Sequence, residues 1–303
     1  MRRLPLVLAV LLFAAPLEAG AAKRDFIKAL IAVQPFSPVP GVPPATTADV
    51  LLDGLNANVL EPYESFWLVE VHVDDAATLT QRGHAFAVEV RLHEDFDFIF
   101  LQGRLDARDG SGTLPPGESA DPPYAAGVKG MWVLQFMGPV KTEWHAAVEA
   151  EGVTLVQPLA YNAYIAAATN ETMQRVAAMR FVQWHTQMHR FLKPAIEAPP
   201  AGSYFNACVI LATTDQTPAA IARLASASRV PIEVRPFSDE EVQIFGVFRA
   251  EELEVILAQP LVWGIAPGYH DANVADVPST SFVALVVIAA ALAAAAVVRL
   301  SAS

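Results

Sequence analysis

The sequence predicts an α+β chain whose ordered body repeats one unit, β-α-β-β-α-β, and three observations carry that expectation. Short stretches of strictly alternating apolar residues are interleaved with segments of three-to-four apolar spacing, and their order is the same in two consecutive blocks. Stretches rich in Pro and Gly separate the blocks. Two right-handed crossovers in this order give an antiparallel four-stranded sheet with both helices on one face, the split-βαβ or ferredoxin-like sandwich.

The first complete block, 130–193, opens with an alternating strand from Met131 to Met137 that puts Trp132, Leu134 and Phe136 on one face. A helix over Lys141 to Glu151 follows, with Trp144 and Val148 on one side and Gly152 as its stop. Strands Val153 to Gln157 and Ala163 to Ala168 come next, then a helix capped by Thr169 or Asn170 that turns Met173 and Val176 inward, and a closing strand from Phe181 to His185. The second block, 203–267, repeats the order. It has a strand Phe205 to Leu211, a helix with Thr217 as N-cap and Pro218 as its first residue, strands Val230 to Val234 and Val242 to Phe248, a helix Glu251 to Leu257, and a strand Leu261 to Ile265. An earlier block, 46–106, shows only a partial βαββ pattern: a strand Phe66 to Val73, a short helix from Asp74 or Asp75 to Gly83, and strands Phe86 to Leu92 and Phe98 to Gln102. It reads as a truncated relative. A loop over 107–129 joins it to the complete blocks, and a Pro-rich spacer precedes it at 34–45, where Gln34 to Pro44 carries five prolines in eleven residues.

The ends of the chain point to export. Arg2 and Arg3, the apolar run Leu4 to Leu12 and the small residues Ala19, Gly20 and Ala21 form the pattern of a signal peptide over 1–21. A second uncharged run, 282–298, is followed at once by Arg299, which reads as a membrane helix with its body outside. Ser279, Thr280 and Ser281 before it also fit a processed anchor signal. Either reading places the body at a cell surface.

Composition narrows the function. With 53% hydrophobic and 17% charged residues the body is an ordered one, and a net charge of −12 without a basic cluster argues against nucleic acid as partner. Cys208 is the only cysteine, which excludes an intrachain disulfide and a cysteine-pair metal site. His185 and His189 stand four apart in a stretch read as strand, where that spacing spans about 13 Å and chelates nothing. No Gly-x-Ser-x-Gly elbow occurs and no Ser, His and carboxylate set forms a recognisable motif. The expectation is a chain with neither catalysis, cofactor nor metal. Asn170-Glu171-Thr172 is a glycosylation sequon, placed at a helix start where modification is disfavoured.

The stretch Trp132 to Pro139, followed by Trp144 and closed by Phe181-Val182-Gln183-Trp184, resembles the pro-region of secreted prokaryotic subtilisin-like serine proteases. The exit Leu261 to Pro267 resembles the end of such a propeptide, so the likeness runs in tandem over about residues 60 to 275. The segments that carry the protease triad in that family are missing here. What the resemblance implies is a protein-binding role, in which a sheet face lies on the partner and the segment after the last strand enters its cleft. Two such tails exist. The first offers Phe191, Leu192 and Lys193, and the second Tyr269, His270 and Asp271. On this reading the chain is a membrane-anchored inhibitor or folding chaperone of a subtilisin-like protease. The alternative is a surface structural protein that self-associates through its sheet edges.

Overall fold

The computed structural model describes residues 25–33, 48–101, 103–106 and 120–268. The expected signal peptide at 1–21, the Pro-rich spacer at 34–45, the run at 282–298 and the tail residues Tyr269, His270 and Asp271 lie outside the described residues. No helix among the described residues is long and apolar enough to cross a membrane.

The protein is an α+β chain with three antiparallel four-stranded sheets and few helices. The first sheet is built from β1 (Phe26–Ala32), β2 (Ala57–Pro62), β3 (Phe66–His72) and β4 (Val90–His93), with α1 (Ala48–Leu52) before β2 and α2 (Ala76–Ala85) before β4. The second uses β7 (Gly130–Phe136), α3 (Thr142–Ala150), β8 (Thr154–Leu159), β9 (Ala163–Ala168), α4 (Asn170–Ala177) and β10 (Val182–Gln187). The third uses β11 (Tyr204–Ala212), α5 (Thr217–Ala227), β12 (Glu233–Pro236), β13 (Glu241–Arg249), α6 (Leu253–Leu257) and β14 (Val262–Pro267). Between the first and second sheets, β5 (Phe98–Leu101) and β6 (Gly103–Asp106) pair as a hairpin.

The strand orders are β2-β3-β1-β4, β10-β7-β9-β8 and β12-β13-β11-β14. Numbered within each copy, all three read second, third, first, fourth, so the unit occurs three times. This corrects the expectation of a truncated first block. Its missing strand is β1, which lies before the Pro-rich segment and pairs with β3 from Phe26↔His72 to Ala32↔Phe66 and with β4 from Lys28↔His93 to Ile31↔Val90. The stretch Phe98–Leu101, expected as the last strand of that block, instead belongs with the second sheet. The chain divides into two compact units, the first ending at Glu94 and the second running from Asp95 through both later sandwiches.

In the first unit Ile27, Ala29 and Ile31 of β1 share one core with Val69 and Val71 of β3 and with Leu51 and Leu79 of the helices. Gly83 lets α2 close on β4, because a Cβ there would sit 2.6 Å from a Val90 methyl and 2.8 Å from the Val88 carbonyl. In the second sandwich the alternation places Trp132, Leu134 and Phe136 together, and Phe136, Trp144 and Phe181 stack with ring planes within 15° of parallel. Thr169 is the cap of α4, accepting the Thr172 N–H at 3.2 Å, and Gly152 takes φ +91° to end the turn after α3. Arg175 joins the two helices: its Nε is 2.7 Å from Glu151 Oε2 and its guanidinium donates to the Glu151 carbonyl at the end of α3.

Two local expectations shift. Thr217 is the first residue of α5 rather than its cap; its hydroxyl accepts the Thr214 N–H at 2.7 Å and donates to the Ala212 carbonyl at 2.8 Å, so it serves the turn before the helix. The edge strand expected at Val230 to Val234 forms three residues later, at Glu233–Pro236. Asn170 is committed inward, its side-chain amide donating to the Tyr124 carbonyl. Mass spectrometry of the protein made in a glycosylating host is therefore expected to show Asn170 unmodified, and a glycan there would mean that this contact does not form.

Candidate functional site

Every residue of β7 is buried, so the second sheet is covered on both faces. Helices cover one. On the other, Met131, Val133, Ile165 and Trp184 pack in one cluster with Ile99 of the hairpin. Gln135, fully buried, donates to the carbonyls of Phe96 at 3.0 Å and Tyr161 at 3.1 Å, and Gln183 donates to Asp97 at 2.8 Å. The segment before and within the hairpin is thus the lid of this sheet.

The third sheet presents its second face differently. Phe205, Val209 and Leu211 of β11 and Ile244 and Phe248 of β13 turn toward the helices and join the core. The alternate positions share the opposite face: Cys208 stands beside Phe245, Glu233 and Ala266, and Ile210 beside Gln243, Arg235 and Gly264. Ile210, Gln243, Phe245 and Ala266 are half-buried, whereas all of β12 is exposed. The Arg235 guanidinium lies 4.4 Å above the Phe245 ring and 2.6 Å from Glu233. An apolar centre with a polar margin is the anatomy of a protein-binding face. Cys208 adds no reactivity there, since burial foremost pushes its thiol up to about 11.

A second polar cluster lies where the second and third sandwiches meet. Residues 121–129 form a strap across the junction. Lys129 pairs with Asp215 at 2.8 Å, and Gln216 bonds both the Lys129 N–H and the Gly127 carbonyl. At the other end Asp121 accepts the Arg190 N–H at 2.6 Å and donates its own N–H to His189 Nδ1 at 3.0 Å, while the Gln187 side chain donates to the Pro122 carbonyl. Between strap, turn and the end of α6 runs a cleft of roughly 350 Å³, lined by Pro122, Pro123 and Tyr124 on one side and by Arg190, Lys193 and Pro260 on the other.

The first expected partner-binding tail falls in this junction. The segment after β10 is a 3-10 turn over Arg190–Leu192, not the extended exit strand expected. Leu192 is buried in the shared core beside Met188, and Phe191 is half-buried and stacks on His189 at 5.4 Å. Lys193 is 3% exposed and donates to the carbonyls of Leu257 at 2.6 Å and Gln259 at 3.0 Å, capping the last turn of α6. The segment in this structure therefore ties one sandwich to the next, and the Ile265 N–H bonded to the Pro194 carbonyl at 2.8 Å continues the seam. Burial holds the Lys193 ammonium far below its ordinary range, at about 7, with the Asp121 carboxylate opposing. Burial likewise lowers the His189 and His185 pKa values. Among the described residues no group of three His, Cys, Asp or Glu side chains is placed to hold a metal.

A family model described as a domain of unknown function (DUF8729) matches residues 100–189. The matched span runs from within β5 through the strap and the second sandwich to His189, so the chain is similar to that family over the second sheet and its strap, while Phe96, Asp97 and Ile99 of the lid lie before it. No curated protein matches the chain.

Proposed function

We propose that the chain is an exported, membrane-anchored and non-catalytic protein-binding module built of three ferredoxin-like sandwiches, and that its partner is a subtilisin-like protease, which it inhibits or helps to fold. The partner class rests on the resemblance of Trp132 to Pro139 and of Leu261 to Pro267 to propeptide segments. The observation that carries the binding role is the face of the third sheet around Phe245 and Ile210, half-open where the equivalent face of the second sheet is sealed by its own hairpin. Binding through the face is favoured over self-association through an edge. The exposed edge strand β12 is only four residues long, charged at Glu233 and Arg235 and ended by Pro236, the features that blunt edges against pairing.

The test is titration of the detergent-extracted full chain against a panel of subtilisin-like proteases, following both inhibition and direct binding. The expected result is binding at micromolar or better affinity that weakens by roughly tenfold or more on Phe245→Asp, as for removal of a central interface anchor. No binding to any member at micromolar concentration removes the protease reading. Binding that Phe245→Asp leaves unchanged removes the third sheet face as its seat.

A further inference from the structure

We propose that His189 is a proton-operated latch that holds the 121–129 strap closed over the junction cleft at neutral pH and releases its Asp121 end in acid. The basis is the direction of one hydrogen bond. A backbone N–H only donates, so the 3.0 Å contact from the Asp121 N–H makes His189 Nδ1 an acceptor and puts the imidazole proton on Nε2. Protonation of Nδ1 sets two N–H groups against each other and ends that bond.

The neighbours decide where the new proton is satisfied. From the strap, the Asp121 carboxylate stands 3.9 Å from Nδ1, and Tyr124 lines the same cleft with its hydroxyl given to the Met131 carbonyl. From the turn itself come Arg190 and Lys193, and from α6 comes Glu254, 3.6 Å from Arg190. The only acceptor in reach of a protonated Nδ1 among these is Asp121, whose Oδ2 already takes the Arg190 N–H at 2.6 Å and whose Oδ1 lies 3.7 Å from the Arg190 guanidinium. Turning the carboxylate to the imidazolium gives up the Arg190 N–H. Either way the Asp121 N–H is orphaned, and where the carboxylate turns, two of the bonds that fix the start of the strap are exchanged for one. Burial, the largest influence on His189, lowers its pKa against the opposing Asp121 carboxylate, with Lys193 adding to the lowering, so the ring is neutral at neutral pH and the latch is shut there.

His72 supplies an internal contrast. It accepts the Asp74 N–H through Nδ1 at 3.3 Å in the same manner, but from only two residues away, so that bond ties down no distant segment.

The experiment places a nitroxide on Ala120→Cys, an exposed position beside Asp121, in the full detergent-solubilised chain with Cys208→Ala, and follows its mobility from pH 8 to pH 5. The immobilised component is expected to be lost as pH falls below the ordinary histidine range. That loss should be absent in His189→Asn, whose side-chain oxygen replaces Nδ1 as acceptor and does not titrate, and retained in His72→Asn. A flat wild-type profile, or the same transition in His189→Asn, overturns the latch. The His189 ring resonance of the unlabelled chain, identified by its disappearance in His189→Asn, provides a second reading: if it does not titrate between pH 8 and pH 5, the latch is also overturned.

Discussion

Between pH 7 and about pH 9 the second unit should become more stable with rising pH, and Lys193→Met should abolish most of that rise. The Lys193 amine titrates near 7 in the folded chain because burial penalises its charge, whereas in the unfolded chain it returns to the ordinary range near 10.5. In that window the unfolded state holds a proton that the folded state has released, so unfolding takes up protons and stability climbs with pH. The slope from this group has a ceiling of about 1.4 kcal/mol per pH unit and vanishes below the folded value. A neutral amine keeps two N–H groups, the number needed for the Leu257 and Gln259 carbonyls, so the α6 cap survives deprotonation. The rise flattens from about pH 9, where Cys208, its thiol pushed up by burial to about 11, acts with the opposite sign, and Tyr124, its phenol also raised by burial, joins it near pH 10. Denaturant midpoints read from tryptophan fluorescence at pH 7 and 9 test this, since Trp132, Trp144, Trp184 and Trp263 all lie in the second unit. Equal slopes in wild type and Lys193→Met would show that the ammonium is solvated rather than buried.

How much of this was legible beforehand differs between copies for physical reasons. In the second and third sandwiches each strand alternates cleanly and each helix carries its own stop or start, so local chemistry and tertiary packing agree. The order of elements followed from that agreement. In the first, the strand Phe26–Ala32 follows closely on the expected leader and precedes a run of prolines, and a seven-residue apolar run broken only by Lys28 carries no signal of its distant partners at 66–72 and 90–93. Phe98 to Gln102 reads as a last strand because its ownership is set by Gln135 and Gln183 reaching back to Phe96 and Asp97, just before it, from more than thirty residues away. The junction was hidden for the same reason. Asp121 meets His189 and Arg190 across 68 and 69 residues, and a lysine followed by proline looks like any exposed linker until the α6 carbonyls are seen around it. Met188 and Leu192, four apart, were the one local hint that this tail packs inward.

Ile31→Asp should unfold the first unit while leaving the second folded. Ile31 is fully buried at a central position of the sheet, opposite Trp67 on one side and Val90 on the other, in the core with Leu51, Leu79 and Val88. A carboxylate there lies among the apolar side chains of Val69, Val71, Leu51 and Leu79, and an unpaired buried charge costs roughly 3–5 kcal/mol, a large share of the about 5–15 kcal/mol that holds a typical domain together. Because β1 is the strand between β3 and β4, losing it leaves β4 with no neighbour in the sheet. Hydrogen exchange followed by peptide mass analysis should show protection lost over 26–32, 66–72 and 90–93 and retained over 130–136 and 204–212. Were 66–72 to stay protected in the variant, β3 would not depend on β1, and the first block would be the truncated unit that its sequence suggests.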